Sequence, residues 1–385
     1  MKYLLIDGNN LAVRCAFAND KLTNSDGIST GAQFGVLQSL NNLKRKFPEH
    51  QMLIVWDSKS KRRMAESEAG VAQGIIPEPY KENRRKDELP KPLKDFYEHQ
   101  QFLQKGIGTL GLPQIRLEGY EADDVIASYA KVLKQEHEVN IVTSDKDYYQ
   151  ILDKNVVIWD GMKLEEMTEA RFKSEKGISP QQWVDIGALM GDDGDNIYGV
   201  PGWGEKTALK ELSKFGSWDK IIAAYESQYA DARKKYPDLV LNGGSMDDYY
   251  ASSKIEELQK AKSDKGKTLY PDIFPGKPSD DIPGMPWLGV LYAFHHEEIK
   301  MPKVTIMALV FQERIKLAYS LKKMDDNITP LPVIENGEFD EEKLTQFLDY
   351  YDIHSLTDSY LLFGGTLKEY APPAIPQEAQ GFLEI

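Results

Sequence analysis

Acidic residues stand where an open parallel sheet would gather them. Asp7 closes the apolar run Tyr3-Leu4-Leu5-Ile6, Asp57 closes Met52-Leu53-Ile54-Val55-Trp56, and Asp145 follows Val139-Asn140-Ile141-Val142-Thr143-Ser144. If these runs are neighbouring parallel strands, all three carboxylates emerge along the carboxyl edge, where such sheets bind ligands. Asp147 lies two residues past Asp145 and shares its space on a turning backbone. Tyr120-Glu121-Ala122-Asp123-Asp124 opens a helix whose first turn sets Glu121 beside Asp123 or Asp124, at the positive end of the macrodipole. Gly191-Asp192-Asp193-Gly194-Asp195-Asn196 ends another helix with further acids. So many carboxylates in one place repel strongly unless cations intervene. Oxygen donors with almost no His or Cys nearby suit Mg²⁺ or Mn²⁺ rather than zinc, and Mg²⁺ held by few carboxylates keeps waters that serve phosphate chemistry. A single Asp at a strand end is more often a turn or cap residue, and Asp160 and Asp193 are read that way. Three strand-end acids with two acidic clusters favour metal binding. The stretch Asp192 to Asn196 fails the register of a calcium loop whichever Asp is placed first.

The elements that must position these acids read as an α/β half followed by helices. The apolar runs above, with Val156-Val157-Ile158-Trp159, alternate with helical stretches, the pattern of a mostly parallel sheet. From Pro180 to about Tyr229 the spacing is helical, interrupted by glycines between Gly199 and Gly204. Pro271, Pro275, Pro278, Pro283 and Pro286 forbid a continuous helix in an irregular module over 236–300. Helical spacing returns at Val304, Met307, Ala308, Phe311, Ile315 and Ala318, and at Leu344, Phe347, Leu348 and Tyr351. A proline-rich tether follows from about Thr366.

Composition narrows the class. The 385 residues leave room for two or three domains, and 41% hydrophobic with 28% charged residues is an ordinary soluble balance. A single cysteine, Cys15, excludes a disulfide framework and any CxxC zinc site and suits a reducing cytoplasm. No apolar run approaches the ~18 residues of a membrane span, and the N-terminus is too short and polar for a signal peptide. The net charge of −14 argues against a non-specific nucleic-acid binder. Yet Ser58 to Lys94 holds ten Lys/Arg against six Asp/Glu, a local surplus of +4.

Four ordered motifs then carry a resemblance: Leu5-Ile6-Asp7-Gly8-Asn9-Asn10, Tyr120 to Asp124, Thr143-Ser144-Asp145-Lys146-Asp147, and GDDGDNIYGVPGWGEKT over Gly191 to Thr207. The chain resembles the 5′ nuclease, or flap endonuclease, superfamily, which includes phage 5′-3′ exonucleases and the 5′ nuclease domain of bacterial DNA polymerase I. The resemblance covers about Met1 to Tyr229, with a weaker echo near Ala318 to Leu356. It implies a PIN-like 5′ nuclease α/β domain with a mostly parallel central sheet flanked by helices, a basic helical arch, and a helix-three-turn-helix DNA-binding subdomain. The expected organisation is 1–178 for the nuclease domain (arch about 58–94), 179–235 for the DNA-binding subdomain, 236–300 an insertion, 301–365 a helical return and 366–385 a tail.

The resemblance also implies roles. One metal would be held by Asp7, Asp57, Glu121 and Asp123, a second towards Asp145, Asp147, Asp192 and Asp195, with Asp124 acting through water. Two Mg²⁺ or Mn²⁺ ions about 4 Å apart would activate a water and stabilise the departing oxygen, leaving a 5′-phosphate and a 3′-hydroxyl. Lys59, Lys61, Arg62, Arg63, Lys81, Arg84, Arg85 and Lys86 populate the arch segment, although a mixed charge run is usually a solvated helix. Tyr80-Lys81-Glu82-Asn83-Arg84 resembles the phage branch's Tyr-Lys-x-Asn-Arg, which would set Lys81 and Arg84 on the scissile phosphate and stack Tyr80 on a base. Arg85 and Lys86 would be general phosphate contacts. The run Gly199 to Thr207 has no strand before it and the wrong spacing for a P-loop. It resembles instead a DNA-binding hairpin, with Gly202 and Gly204 admitting a phosphate to backbone N–H groups, K⁺ on the carbonyls of Val200 and Gly202, Lys206 and Lys210 adding phosphate contacts, and Trp203 packing.

The expected activity is a structure-specific 5′-3′ exonuclease or flap endonuclease of DNA replication. Its substrates would be DNA with a 5′ flap, nick or free 5′ end, and RNA in hybrids. It would be a stand-alone monomeric enzyme in the cytoplasm of a bacterial or phage-infected cell, without a membrane. Lys254, Lys260, Lys262, Lys265 and Lys267 would extend the DNA footprint, though a solvated lysine face is the commoner use. Gly381 to Ile385 would dock on a sliding clamp or single-strand-binding protein, unless it is a plain disordered end. Cys15, His137 and His295-His296 are read as structural or surface residues. Two competing readings are a PIN-type ribonuclease, which has no need of the glycine hairpin, and a non-catalytic DNA-binding scaffold, which has no need of the acids.

Overall fold

A computed structural model of the chain describes residues 1–84, 89–161, 163, 165–235 and 303–356. Arg85, Lys86, the module at 236–300 with its lysines and His295-His296, and the tail from about Thr366 lie outside the described residues. The chain divides into two compact units, one from Met1–Ser60, Arg85–Arg171 and Met324–Ile385, the other from Lys61–Arg84 and Phe172–Lys323.

In the first unit, strands alternate with helices: β1 (Lys2–Asp7), α1 (Gly8–Ala18), α2 (Gly31–Lys46), β2 (His50–Trp56). Helix α3 (Lys61–Ala72) belongs to the second unit. The first unit resumes with α4 (Lys91–Gly108), β3 (Gln114–Arg116), α5 (Ala122–Leu133), β4 (Glu138–Val142), β5 (Val156–Trp159) and β6 (Glu166–Met167). The six strands run in the order β3-β2-β1-β4-β5-β6, all pairs parallel except the antiparallel β5 and β6. Parallel neighbours need crossovers, and the helices supply them. The strand order reverses between β1 and β4, and at such a reversal the loops leave in opposite directions and open a crevice at the carboxyl edge. Asp7 ends one of these strands and Asp145 follows the other.

Both faces of the sheet are covered, which is why the inner strands read as unbroken apolar runs. Leu4, Ile6, Met52, Ile54 and Trp56 pack with Leu37 and Leu40 of α2, Leu103 and Ile107 of α4, and Phe347 of α12 (Glu341–Tyr350). The alternate residues Leu5, Leu53, Val55 and Ile141 are buried on the opposite face, where α5 lies against β1, β2 and β4. The edge strands β3 and β6 are short and polar and carry no such pattern in the sequence.

The second unit is helical. The chain enters it within α6 (Glu169–Lys176) and continues through α7 (Trp183–Met190), the hairpin β7 (Gly191–Asp192) and β8 (Ile197–Tyr198), α8 (Glu205–Phe215) and α9 (Trp218–Lys235). Later come α10 (Lys303–Val310) and α11 (Gln312–Lys322), and α11 packs chiefly on α7 and also on α3. Gly191 ends α7 at φ 77°, a left-handed conformation that turns the chain directly into the acidic loop. Among the described residues, no helix is long and apolar enough to cross a membrane.

Candidate active site

Asp7 is the centre of the first unit's acid group. It is 7% exposed, at the carboxyl end of β1, where its side chain also caps α1. One oxygen accepts the Asn10 N–H at 3.0 Å, and the other accepts the Tyr148 hydroxyl at 3.1 Å and the Thr143 hydroxyl at 3.3 Å. Burial, then the charges of Asp57 and Asp145, push its carboxyl well above the usual range, against the hydrogen bonds from Asn10 and Tyr148. Tyr148 is fully buried, and burial with the charges of Asp7, Asp123, Asp145 and Asp57 raises its phenol well above the ordinary value. Four carboxylates from four separate stretches thus act electrostatically on one phenol, with Asp7 in direct contact.

Local backbone bonds aim these acids. Asp57 accepts the Ala122 N–H at 2.8 Å, tying the end of β2 to the start of α5, which carries Glu121 as its N-cap and Asp123 in its first turn. Asp145 caps the 3-10 turn Lys146–Ile151 by accepting the Asp147 N–H at 2.8 Å. Asn9 accepts the Asp57 N–H at 3.1 Å, and Asn10 accepts both the backbone N–H and the hydroxyl of Ser144 at 2.9 Å. The two asparagines after Asp7 therefore pin the loops that follow β2 and β4. Asp124 is buried, and one of its oxygens accepts the Asp325 N–H at 2.7 Å and so anchors the segment that begins at Met324.

Among the described residues, no three Asp, Glu, His or Cys side chains form a ready-made metal cage. A cation among the acids around Asp7 would nevertheless relieve the repulsion that burial concentrates on that carboxyl, and an all-oxygen donor set is what a hard divalent ion takes. On that observation the residues fit a divalent metal.

The other candidates lie in the second unit. Asp192 accepts the Lys322 ammonium at 2.6 Å with one oxygen and the Gly194 N–H at 2.9 Å with the other. Burial opposes its ionisation, but Lys322, the Gly194 N–H and Arg84 outweigh it and hold the carboxyl below the usual range. Asp195 pairs with Arg84, and its carbonyl accepts the Lys81 N–H at 2.9 Å. Asn83 donates to the Asp193 carbonyl at 2.8 Å, and Arg84 Nε to the Gly194 carbonyl at 3.3 Å. The Tyr-Lys-x-Asn-Arg stretch is therefore docked along the acidic loop. Lys81 adopts φ 58°, a left-handed conformation unusual outside glycine, and its Nζ stands 4.8 Å from the Tyr80 ring centroid.

Two expectations are corrected here. Tyr80, expected to stack on a base, is 4% exposed and serves as packing. Arg63 is buried, and Arg62 donates to the carbonyls of Ser320 at 2.7 Å and Lys323 at 2.9 Å, so the start of α3 is not a wholly solvated charged run. Asp160 has a structural use, pairing with Arg14 at 3.0 Å and accepting the Lys163 N–H. In the glycine hairpin, Gly202 has φ 79° and Gly204 caps α8, with Lys206 and Lys210 exposed one helical turn apart. The Val200 carbonyl accepts the Trp203 N–H at 3.0 Å, and Trp203 is buried as packing. Asn9, Asn10, Asn83, Thr143, Tyr148 and Lys322 were not singled out from the sequence. Asn9, Asn10, Asn83 and Thr143 carried a signal as members of the quoted motifs, whereas Tyr148 and Lys322 carried none.

The first unit is thus a mostly parallel α/β sheet with buried acids at its switch point, and the second is helical with a glycine hairpin. Residues 2–177 match the family model for the 5′-3′ exonuclease N-terminal resolvase-like domain, and residues 178–261 match the 5′-3′ exonuclease C-terminal SAM fold. A 5′-3′ exonuclease of Aquifex aeolicus is 34% identical over 240 residues, covering 62% of this chain and 78% of that relative. The DNA polymerase I of Deinococcus radiodurans is 36% identical over 233 residues, covering 60% of this chain, which spans only 22% of the polymerase. The catalytic core of Rad2 in complex with a DNA substrate shares the fold, with a TM-score of 0.50 at 14% identity over 94% of this chain and 92% of that one. The chain belongs to the 5′-3′ exonuclease family.

Proposed function

We propose that the chain is a divalent-metal-dependent 5′ nuclease that hydrolyses DNA phosphodiester bonds near 5′ ends and at junctions of single and double strands. The observation that carries this reading is the buried Asp7 carboxylate, with Asp57, Asp123 and Asp145 around Tyr148 at the reversal of a parallel sheet. Such repulsion is costly in a site without cations, and family membership supports the chemistry that cations would serve there. Asp7, Asp57, Glu121 and Asp123 would hold one ion and Asp145 and Asp147 a second, with Asp124 acting through water, while Asp192 and Asp195 are the second unit's own candidate metal acids. Bound divalent ions would supply an activated water and neutralise charge on the phosphate.

The chain's own residues do the rest. Lys81 and Arg84 are cations held on a docked loop, and they would meet the developing charge of the scissile phosphate. The α8 N-terminus with Gly202 and Gly204 offers backbone N–H groups to a duplex phosphate, and Lys206 and Lys210 extend that contact without reading sequence. K⁺ at the Val200 and Gly202 carbonyls would order the same turn. The experiment offers 5′-labelled flap, nicked duplex and single-stranded RNA with Mg²⁺ or EDTA. Flap cleavage near the junction is expected, abolished by EDTA and lowered about 100-fold or more by Lys81→Ala or Asp145→Asn. Preferential cleavage of the RNA, or DNA binding with no product, would overturn it.

A further inference from the structure

Lys322 lies beyond the residues matched by either family model, at the last position of α11. Its side chain is 5% exposed, and its ammonium stands 2.6 Å from Asp192 Oδ2. Burying an ammonium is costly unless it is paired, so this contact needs a reason. The path it takes is equally specific. A Cβ on Gly187, in the middle of α7, would stand 3.2 Å from Lys322 Cγ and 3.4 Å from its Cδ and Cε. A helix interior disfavours glycine, yet here the missing side chain leaves the groove through which the lysine stem crosses α7.

The contact also continues past Asp192. The other Asp192 oxygen accepts the Gly194 N–H, and the Gly194 carbonyl accepts from Arg84 Nε. The neighbouring carbonyls of Asp193 and Asp195 accept from Asn83 and from the Lys81 N–H. We propose that Lys322 is a positioning residue of the nuclease site: its ammonium, delivered along the Gly187 groove, fixes the acidic loop and through it the pose of Lys81 and Arg84.

This rests on the nuclease reading for its effect on cleavage, but its structural half is measurable without metal or substrate. The experiment compares Lys322→Met, Lys322→Arg, Asp192→Asn and the Lys322→Met/Asp192→Asn double variant of the full chain in chelator. Amide hydrogen exchange is followed at Lys81 and, as a control, at Leu5 in β1, and single-turnover flap cleavage is then measured with Mg²⁺. Lys322→Met is expected to speed exchange at Lys81 at least ten-fold with Leu5 unchanged, and to slow cleavage at least ten-fold with flap affinity held within two-fold. Lys322→Arg is expected to restore most of both, and the double variant to be no worse than Asp192→Asn. If Lys322→Met does not fold, Asp192→Asn must show the same loss of protection at Lys81. Unchanged Lys81 exchange in both single variants, or losses that add fully in the double, would overturn the proposal. A native chain that cuts no flap DNA would instead refute the nuclease reading, while the exchange result would still decide the role of Lys322.

Discussion

At the scale of single residues, acids were legible and their supports were not. Asp7, Asp57, Glu121, Asp123 and Asp145 announce themselves because a carboxylate at a strand end or helix start has little to do in a core. Tyr148 is one of twenty tyrosines, and only the fold reveals that its hydroxyl is buried against Asp7. Lys322 likewise is an ordinary lysine until α7 and α11 meet. Tyr80 failed in the other direction: the motif it belongs to suggested a base-stacking ring, whereas packing has buried it. The Tyr148 contact leads to a prediction, because a hydrogen bond that orients a metal-binding carboxylate typically matters 10–100-fold to metal affinity. Tyr148→Phe should weaken Mn²⁺ binding about ten-fold while preserving the circular dichroism spectrum, as a titration followed by electron paramagnetic resonance would show.

At the scale of elements, β1, β2, β4 and β5 were legible because strands covered on both faces become continuous apolar runs. β3, with Ile115 between Gln114 and Arg116, and the two-residue antiparallel β6 were not, since edge strands are held by their neighbours rather than by their own pattern. Helices α8 to α11 followed from spacing, but the capping of α9 did not. Asp185 of α7 accepts the Trp218 N–H at 2.8 Å, holding the start of α9 from a buried position. Burial pushes the Asp185 carboxyl up to about 6, with Asp219 adding to the effect. Its folded value exceeds the unfolded one, so the folded state holds the proton more tightly and stability falls as the pH rises through about 6. Asp185→Asn keeps an acceptor oxygen and removes that loss. The stability of the variant relative to the native chain should improve by about 1 kcal/mol between pH 5 and pH 8, measured by thermal melting at both. An unchanged difference would show that the Asp185 carboxyl is not raised in the folded chain.

At the scale of the whole molecule, a net charge of −14 and the proposed DNA substrate are compatible only if charge is segregated. Acids gather around Asp7 in the first unit and in the Asp192–Asp195 loop of the second, while α8 presents the exposed Lys206 and Lys210. Each phosphate contact contributes about one unit to the salt dependence of binding, so Lys206→Ala/Lys210→Ala should reduce the slope of log Kd against log salt by roughly two. Fluorescence anisotropy with a duplex across a salt series would measure it, and an unaltered slope would place the duplex elsewhere. The measurement that bears most directly on the account is Mn²⁺ titration of the full chain without DNA, comparing the native protein with Asp7→Asn by electron paramagnetic resonance. Saturable binding in the native chain, weakened at least about ten-fold by Asp7→Asn, is the predicted result. A native chain that takes up no Mn²⁺, or an Asp7→Asn variant that binds it equally well, would contradict it.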